Sequence, residues 1–405
     1  MRVRFILIPM LALAAASPVM AQLGLPSLPL PPVRDVLDPV TGAVVDITED
    51  VRRSADRLAR QRLGMIERLV ARNPETIELD RNGAPARRGE LLVMDGDAAG
   101  VARAEAAGFR VLNQETLYGL DIAVTRFAVP AGTTLAEGEQ ALGALLPQAI
   151  VAPDNLHREA GGAVPIIAAN ATAASAAITA PVGMIDGGPA GTAAVRESRG
   201  FARGAPLASD HGNAIASLLE STGVTTIRAA DVYGSDPAGG NALAIARALG
   251  WLAERDVKVV TISLVGPRNA VLERAVASIL AKGVVIVAPV GNDGPASPPS
   301  YPASYDGVVA VTGVDGRRRV LIEAGRALHL DYAAPAADIG ARNAKGRKVK
   351  VRGTSFAVPL VAARIAAGGQ GWRASLDQEA RDLGERGPDQ AYGRGLICGA
   401  CRGVR

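Results

Sequence analysis

Near its C-terminal end the sequence is Arg352-Gly353-Thr354-Ser355-Phe356-Ala357-Val358-Pro359. An Ala-rich apolar run follows, from Leu360 to Ala367. The pattern predicts a loop that delivers Ser355 to the start of a buried helix, because Gly353 permits a sharp turn and Pro359 suits only the first turn of a helix. The serine amide and the helix dipole would then face whatever the hydroxyl oxygen attacks. The alternative interpretation is an ordinary helix cap, since Ser and Thr are common there.

The region before this stretch alternates between strand-like and helix-like segments. Aliphatic runs of strand length occupy residues 181–185, 225–232, 257–264, 284–290 and 308–314. Helical patterns lie between them, at residues 211–220, 241–254 and 269–281. Near-continuous apolar strands with intervening helices predict an α/β fold, with a parallel sheet covered by helices on both faces. In such sheets, sites form where the strands end and the following loops begin.

Three polar residues stand at those strand and helix ends. Asp186 follows a buried strand, where a carboxylate is costly unless it is paired. His211 opens a helix whose next residues are almost wholly apolar, and Asn292 follows the strand that ends at Val290. Each residue also has a structural interpretation, as a turn aspartate, a satisfied core histidine and a turn asparagine. Taken with Ser355, however, they occur in the order Asp, His, Ser, which is one of the known chain orders of a catalytic triad.

The local strings around these residues resemble the signature segments of subtilisin-like serine peptidases, the subtilases. The resemblance covers residues 181 to about 397. The matching strings, besides the serine block, are Ala180-Pro181-Val182-Gly183-Met184-Ile185-Asp186-Gly187-Gly188, Asp210-His211-Gly212-Asn213-Ala214-Ile215-Ala216, Ser263-Leu264-Val265-Gly266, Gly291-Asn292-Asp293-Gly294 and Asp389-Gln390-Ala391-Tyr392-Gly393-Arg394-Gly395-Leu396. The resemblance implies a subtilisin-like fold and a serine endopeptidase.

Chemistry and resemblance together suggest a role for each of the four polar residues. Ser355 would be the nucleophile and His211 the general base that takes its proton. Asp186 would hold the other imidazole nitrogen and stabilise the imidazolium. Asn292, with the amide of Ser355, would stabilise the oxyanion.

The resemblance also implies where substrate binds. Two groups of residues would form the binding surface: a strand that pairs with the substrate backbone, Ser263, Leu264, Val265 and Gly266, and a wall beside the side-chain pocket, Pro289, Val290 and Gly291. Pro289 and Val290 replace the small residues usual in the family, so we expect a narrow pocket that disfavours bulky side chains. Asn213 and Ala214 replace the usual Thr and second His, and we expect this change to alter local packing without loss of activity.

The N-terminal part of the chain has the features of an exported protein. Residues 1–21 predict a signal peptide, with a basic start at Arg2 and Arg4, an apolar run and a small-residue cleavage site. The apolar run is too short for a convincing membrane span, although an uncleaved anchor is the alternative. Residues 22–88 contain a Pro-rich linker and an amphipathic helix at 46–72. We therefore expect a periplasmic or extracellular protein without stable membrane association.

Residues 89–158 predict a small α+β unit. Their element order is βαββαβ, which suits an antiparallel sheet covered by two helices. The unit is similar, more weakly, to the subtilase propeptide, which in that family chaperones folding and inhibits until it is removed. The sequence therefore predicts a zymogen that is cut within residues 158–180, with 159–180 a flexible linker and 181–405 the catalytic domain. His157, at the end of the unit, is expected to be exposed to solvent and not catalytic.

Charge and cysteine content exclude several other functions. The net charge is +4, and the basic runs at 317–319 and 342–352 lack interleaved aromatic residues, so they predict solvated loops and not a nucleic-acid surface. Cys398 and Cys401 predict a small local disulfide, since two ligands alone do not make a zinc site. We expect no cofactor and no metal, because the segment between Asp186 and His211 has few acidic groups for calcium.

Two alternatives come from other functional classes. The first is a catalytically silent subtilase fold used for binding, against which the intact catalytic residues argue. The second is a nucleotide-binding domain that uses Gly187-Gly188-Pro189-Ala190-Gly191 as a phosphate loop. Proline removes one amide from that loop and the glycine spacing of a dinucleotide site is absent, so this alternative is weak.

Overall fold

The structure is a computed structural model that describes residues 49–165, 176–401 and 403. The predicted signal peptide, the Pro-rich segment at 22–43 and residues 166–175 of the predicted linker lie outside the described residues. Among the helices of the described part, none is both long and apolar enough to cross a membrane.

The described chain first forms a mainly antiparallel unit and then a parallel one. The helices, in chain order, are α1 Glu49–Arg72, α2 Ala98–Ala106, α3 Leu135–Leu145, α4 Asp210–Ser221, α5 Ala242–Ala253, α6 Ala270–Ala281, α7 Val358–Gly368 and α8 Trp372–Glu379. The strands are β1 Ile77–Leu79, β2 Pro85–Met94, β3 Arg110–Leu117, β4 Ile122–Ala128, β5 Ile150–Asn155, β6 Arg158–Glu159, β7 Gly162–Pro165, β8 Val182–Asp186, β9 Val195–Gly200, β10 Ile227–Asp231, β11 Val259–Ile262, β12 Leu264–Val265, β13 Val285–Pro289, β14 Val309–Val314, β15 Tyr332–Pro335, β16 Ala337–Arg342 and β17 Lys348–Arg352.

The N-terminal unit contains the predicted βαββαβ order. Its sheet has the order β1-β2-β4-β3, with β5 also paired to β2, and these pairings are antiparallel. Along β2, Leu91 and Val93 pack with the residues of α2 and α3. The alternate residues, Leu92 and Met94, are buried against α5 and α6 of the second unit. Successive side chains of a strand point to opposite faces, so the single strand β2 contributes to the cores of both units.

The second unit confirms the predicted α/β architecture. Its parallel sheet has seven strands in the order β15-β14-β13-β11-β8-β10-β9. Helices α4 and α7 bury their apolar residues on one face of the sheet, and α5 and α6 bury theirs on the other. Val182 and Met184 of β8 belong to the first of these cores, and Ile185 to the second. The predicted strands and helices of this region differ from the observed ones by only a residue or two at most ends, because their apolar runs are long and uninterrupted.

One basic run was assigned wrongly. Residues 342–352 were expected to form a solvated loop, but Lys348–Arg352 is strand β17 and pairs with β16. Val349 and Val351 are buried while the basic residues between and beside them are more exposed. This alternation is the period-2 signal of a strand with one buried face, and it is easily overlooked in a sequence dominated by charge.

The beginning of the predicted linker also has regular structure. Arg158–Glu159 pairs with β12, and Gly162–Pro165 pairs with β17, both in antiparallel register. Residues 158–165 are therefore held by two strands of the second unit, whereas the sequence predicted a flexible linker from residue 159 onward. Sequence pattern does not reveal this, because main-chain hydrogen bonds hold the segment and they depend little on side-chain type.

Candidate active site

The structure brings Asp186 and His211 into direct contact. Asp186 is the last residue of β8, and His211 lies in the first turn of α4, whose cap Ser209 accepts a hydrogen bond from Gly212. His211 Nδ1 lies 2.9 Å from Oδ1 of Asp186 and 3.0 Å from Oδ2. The amide of Gly187 donates to the same carboxylate at 2.7 Å. The buried carboxylate is therefore compensated from two sides, and it holds the imidazole in one orientation.

The surroundings of His211 favour its charged form. Burial lowers the pKa of His211, but the charge and hydrogen bond of Asp186, together with the charge of Glu159, outweigh burial and raise the pKa. The Nε2 atom is buried and makes no hydrogen bond to any described residue. The imidazole is thus anchored through Nδ1, while Nε2 faces the cleft without a partner.

Ser355 lies at the same cleft, but its hydroxyl does not contact His211. The residue belongs to a one-turn 3-10 helix, Thr354–Phe356, that precedes α7, and it is fully buried. Its Oγ donates to the carbonyl oxygen of Ser263 at 2.8 Å, and Oγ of Ser263 donates to the carbonyl of Ser355 at 3.3 Å. The ring of the next residue, Phe356, lies 5.2 Å from the imidazole of His211. The hydroxyl–imidazole contact of an assembled triad is therefore absent, although the residue next to Ser355 packs against the imidazole.

Asn292 lies on the loop after β13 and is hydrogen-bonded to residues 353–355, here called the serine loop. Its Oδ1 accepts a hydrogen bond from the amide of Thr354 at 3.0 Å, and its Nδ2 is buried without a hydrogen-bond partner among the described residues. Gly353 has a φ of 135°, and a Cβ at that position would lie 2.8 Å from Nδ2 of Asn292 and 3.0 Å from the carbonyl oxygen of Ala160. Only glycine permits this approach, which places a donor without a partner near the Ala160 carbonyl.

The chain's own residues 157–161 occupy this cleft. Glu159 pairs with Leu264 and Arg158 with Val265 in antiparallel register. The amide of Ala160 donates to the carbonyl of Ser263 at 3.4 Å, and the amide of Ser355 donates to the carbonyl of Ala160 at 3.0 Å. The strand expected to bind substrate backbone thus binds a segment of the same chain.

The two sides of the Ala160–Gly161 peptide bond are held by different strands. Residues before the bond pair with β12, and residues after it pair with β17. The bond itself passes the serine loop, where a Cβ at Gly353 would lie 2.7 Å from the Cα of Gly161. The segment therefore crosses the site in an extended form, as a bound peptide would.

Glu159 places a third titratable group beside the Asp186–His211 pair. One ligand atom from each of the three residues lies within 4.8 Å of the others, and this is the group with metal-ligand spacing among the described residues. Burial raises the pKa of Glu159 to about 7, the positive charge of His211 opposing this and the negative charge of Asp186 adding to it. Because the carboxylate of Asp186 is already engaged by His211 and Gly187, the cluster is better explained as part of the catalytic site than as a metal site.

His157 is not exposed to solvent, contrary to the sequence-based expectation. Its side chain lies against Gly266, where a Cβ would come within 2.5 Å of its Cδ2, and the residue is 1% exposed. Its amide donates to Gly240 at 2.8 Å, and the hydroxyl of Tyr233 donates to its carbonyl at 2.9 Å. Burial lowers the pKa of His157 to about 4, so the ring is neutral at pH 7. The expectation failed because the cleft that buries His157 is built from residues far along the chain.

Helix α1 covers the same part of the cleft. Arg62 and Ile66 of α1 line a cavity of about 420 Å³ together with His157, Gly266 and Pro299. The amphipathic helix therefore finds its partner within the chain, as its apolar stripe requires.

The residues expected beside the side-chain pocket support the asparagine loop. Pro289 ends β13, Val290 belongs to the buried core on the α4 and α7 face, and Gly291 has a φ of 90°. The carbonyl of Gly291 accepts a hydrogen bond from Oγ1 of Thr354 at 3.1 Å. Their contact with a substrate side chain stays a prediction.

Asn213, which departs from the family pattern, has a structural role. Its Nδ2 donates to the carbonyls of Arg342 at 3.0 Å and Asn343 at 2.7 Å, and its Oδ1 accepts from the amide of Ala190 at 2.9 Å. The side chain ties α4 to two loops.

Near the C-terminus, Cys398 and Cys401 form the predicted disulfide.

Sequence reasoning missed the part of the site that the chain supplies from residues 158–161 and the acidic residue Asp293 that contacts it. The available signal was the weak propeptide resemblance, which ends at 158 and therefore directs the next residues toward the cleft. A linker composition rich in Ala and Gly concealed it.

Comparison with known proteins identifies the family. The sequence model described as the subtilase family matches residues 190–395, which include His211, Asn292 and Ser355 and begin after Asp186. Subtilisin BL of Lederbergia lenta is 32% identical over 225 residues, covering 50% of this chain and 82% of that protein. The minor extracellular protease Epr of Bacillus subtilis is 28% identical over 199 residues, covering 47% of this chain but only 30% of Epr.

A solved structure shares the fold. The crystal structure of fervidolysin from Fervidobacterium pennivorans, a keratinolytic enzyme related to subtilisin, matches with a TM-score of 0.64 and 18% identity. The match covers 80% of this chain and 62% of that one, so it extends beyond the α/β unit into the N-terminal part. The subtilase family model matches just over half of the 405 residues of this chain. The chain therefore belongs to the subtilase family, whose members are serine endopeptidases.

Proposed function

We propose that this chain is an exported serine endopeptidase, made as a zymogen, that hydrolyses peptide bonds through Asp186, His211 and Ser355 with Asn292 as oxyanion donor. The observation that carries the proposal is the carbonyl of Ala160, which accepts a hydrogen bond from the amide of Ser355 at 3.0 Å in the cleft that also holds the Asp186–His211 pair. A peptide carbonyl bound there is positioned as the carbonyl of a substrate would be.

In the proposed reaction, Oγ of Ser355 leaves the carbonyl of Ser263 by rotation of its side chain and attacks the carbonyl carbon of the substrate. Nε2 of His211 accepts the hydroxyl proton, and the raised pKa of the imidazole supports this transfer. Asp186 keeps the proton on Nδ1 and stabilises the imidazolium. His211 then protonates the leaving amine as the C–N bond breaks, and water repeats the sequence to release the acyl group.

Stabilisation of the tetrahedral oxyanion falls to two donors. The amide of Ser355 already donates to a carbonyl in this position, and Nδ2 of Asn292 is a buried donor that no described residue accepts from. Burying a polar atom without a hydrogen bond costs free energy. The unpaired Nδ2 of Asn292 is therefore consistent with a hydrogen bond that forms only when negative charge develops on the substrate oxygen.

The zymogen part of the proposal assigns the first cut to the Ala160–Gly161 bond. Residues on either side of this bond are held by β12 and β17, and its carbonyl meets the serine amide. Cleavage would leave the N-terminal part of the chain, up to Ala160, bound in the cleft as a noncovalent inhibitor, and export would follow from the N-terminal signal, with a periplasmic or extracellular destination.

Intact-mass analysis of secreted wild type beside Ser355→Ala tests this function. Wild type should yield a fragment that begins at Gly161, whereas Ser355→Ala should keep that bond intact. Wild type that stays uncut at every bond between 158 and 180 would contradict self-processing, and a first cut at another bond in this range would contradict the assignment of the bond.

A catalytically silent binding protein is the second candidate, and one observation favours it: Oγ of Ser355 is bonded to Ser263 and not to His211. A fluorophosphonate probe decides between the two, after the cut segment has been released. Covalent labelling of wild type but not of Ser355→Ala supports the peptidase, and absence of labelling in processed wild type supports the silent protein.

A further inference from the structure

Asp293 is an acidic side chain placed directly after the oxyanion asparagine. Its Oδ2 pairs with Nη2 of Arg158 in the cleft segment and lies 3.4 Å from Nε of Arg62 in helix α1. The carboxylate is 16% exposed, so two guanidinium groups neutralise a mostly buried charge. Burying a carboxylate to this extent costs free energy unless a cation accompanies it.

Both of these cations belong to the part of the chain that the proposed processing removes. Arg62 and Arg158 precede Ala160, whereas Asp293 remains in the α/β unit. Among the described residues, no salt bridge joins Asp293 to a cation of residues 161–401. Once the part of the chain up to Ala160 has left, the negative charge of Asp293 would therefore lie on the wall of the cleft without either of these cations.

The register of the bound segment defines which substrate residue meets this acid. Side chains alternate along an extended strand, and His157 and Glu159 point toward Gly266 and the Asp186–His211 pair. Arg158 points to the other side, toward Asp293. With the cut after Ala160, Arg158 is the third residue before the cleaved bond.

We infer that Asp293 is a specificity-determining residue that selects substrates with Arg or Lys at the third position before the cleaved bond. The inference rests on the proposed peptidase function and deepens it by naming a substrate class. Arginine suits the site better than lysine, because its planar guanidinium can donate two hydrogen bonds to one carboxylate.

The test uses processed enzyme and a set of peptide substrates. Each peptide has Ala directly before the cleaved bond, and the peptides differ only at the third position before that bond. Wild type should cleave the Arg peptide with a kcat/KM about two- to fivefold above that of the Gln peptide, the range expected for a partly exposed ion pair. The Glu peptide should be slower than the Gln peptide, and the Arg preference should shrink as salt is raised.

Asp293→Asn should bring the Arg-to-Gln ratio close to one, and Asp293→Lys should favour the Glu peptide. The readout is a ratio between peptides, so it does not depend on the overall rate of each variant. Asp256→Asn serves as the matched control, because it removes one negative charge from an exposed side chain outside the cleft; its ratio should equal that of wild type.

The unprocessed chain offers a second, independent measurement. Arg158→Gln and Asp293→Asn should each slow the first cut, and the double variant should be no slower than the slower single variant, because the two side chains form one pair. Arg62→Gln should slow the cut less, since Arg62 lies in helix α1 and not among residues 157–161, which cross the cleft.

Enzyme that cleaves the Arg, Gln and Glu peptides equally, or keeps its Arg preference in Asp293→Asn, overturns this inference but leaves the peptidase function intact. Additive effects of the two substitutions on the first cut would also count against it. Enzyme that cleaves none of the peptides and takes up no fluorophosphonate contradicts the proposed function itself.

Discussion

The two halves of the candidate active site differ in how far they are assembled. Asp186 and His211 sit at the ends of a strand and a helix, and their contact is complete at 2.9 Å. Ser355 and Asn292 sit on loops, and neither makes the contact that catalysis needs: the hydroxyl is bonded to Ser263, and Nδ2 of Asn292 has no partner among the described residues. The residues on regular elements are therefore in contact with each other, whereas the residues on loops contact other groups of the cleft.

Breaking the preformed half should have the largest effect. Asp186→Asn preserves the shape of the side chain but replaces the acceptor that fixes the imidazole tautomer, so self-processing and peptide cleavage should fall by roughly 10⁴-fold. The rate of the first cut, followed by intact mass, checks this. Asp338→Asn, an exposed acid in the β16 strand, is the control and should process like wild type; a fall of less than tenfold in Asp186→Asn would remove Asp186 from the mechanism.

Breaking the loop half should cost less. Asn292→Asp keeps an oxygen to accept the hydrogen bond from Thr354 but loses the Nδ2 donor, so turnover should fall by about 10²–10³-fold. Peptide cleavage by the processed enzyme measures the change in kcat, and the unfolding midpoint measures whether the loop is retained. Unchanged kcat with a normal midpoint would show that Asn292 is not an oxyanion donor.

The pH dependence of segment release sharpens the comparison further. Burial raises the pKa of Glu159 to about 7, with His211 opposing this and Asp186, Asp210 and Asp231 adding to it. A free glutamate titrates near about 4.3, so between about pH 4.3 and pH 7 Glu159 carries more protons in the bound segment than in the released one. Glu159 therefore weakens binding of the cut segment as pH rises from about 4.3 to 7. His157 acts in the opposite direction: burial lowers its pKa to about 4, below the value of about 6.5 for a free histidine, so its contribution strengthens binding as pH rises toward about 6.5. The pH dependence that Glu159 adds is thus the difference between wild type and a variant that cannot ionise at this position.

Size-exclusion chromatography of cut wild type at pH 5.5, 7 and 8.5 checks this release. Glu159→Gln is the matched variant, since it keeps size and polarity but cannot ionise, and its binding of the cut segment should tighten between pH 5.5 and 7 because only the His157 contribution remains. Equal pH dependence in both proteins would assign the effect to another group.

Asn213 should have the smallest effect on catalysis. Asn213→Ala removes three partly buried hydrogen bonds that tie α4 to neighbouring loops, so the free energy of unfolding should fall by about 1–3 kcal/mol. The first cut should stay within about twofold of wild type, because the side chain contacts loops and not the Asp186–His211 pair. Denaturant unfolding and intact mass measure the two quantities; a large loss of cleavage at normal stability would give Asn213 a direct role.

Much of the fold could be predicted because its signals are local. The strands around Val182–Asp186 and Val285–Pro289 are continuous apolar runs, and the helices between them have clear periodicity. Strand β9, Val195–Gly200, was missed because it is polar and lies at the edge of the sheet, where burial imposes little pattern. Strand β17 was missed because charge concealed its alternation.

The sequence singled out the residues of the candidate site, but not the arrangement of their side chains. Residue type and neighbouring strings were enough to single out Asp186, His211, Asn292 and Ser355. They could not indicate that the hydroxyl of Ser355 would be bonded to Ser263, since a rotamer depends on what surrounds it. The burial of His157 was missed for the same reason.

From the sequence alone came the α/β class, the order of the elements and the four polar residues of the candidate site, because periodicity and residue type are properties of neighbouring positions. Only the tertiary structure decided that residues 158–165 run through the cleft and that Arg158 meets Asp293. That arrangement depends on main-chain hydrogen bonds and one ion pair between residues more than a hundred positions apart, which no local pattern encodes.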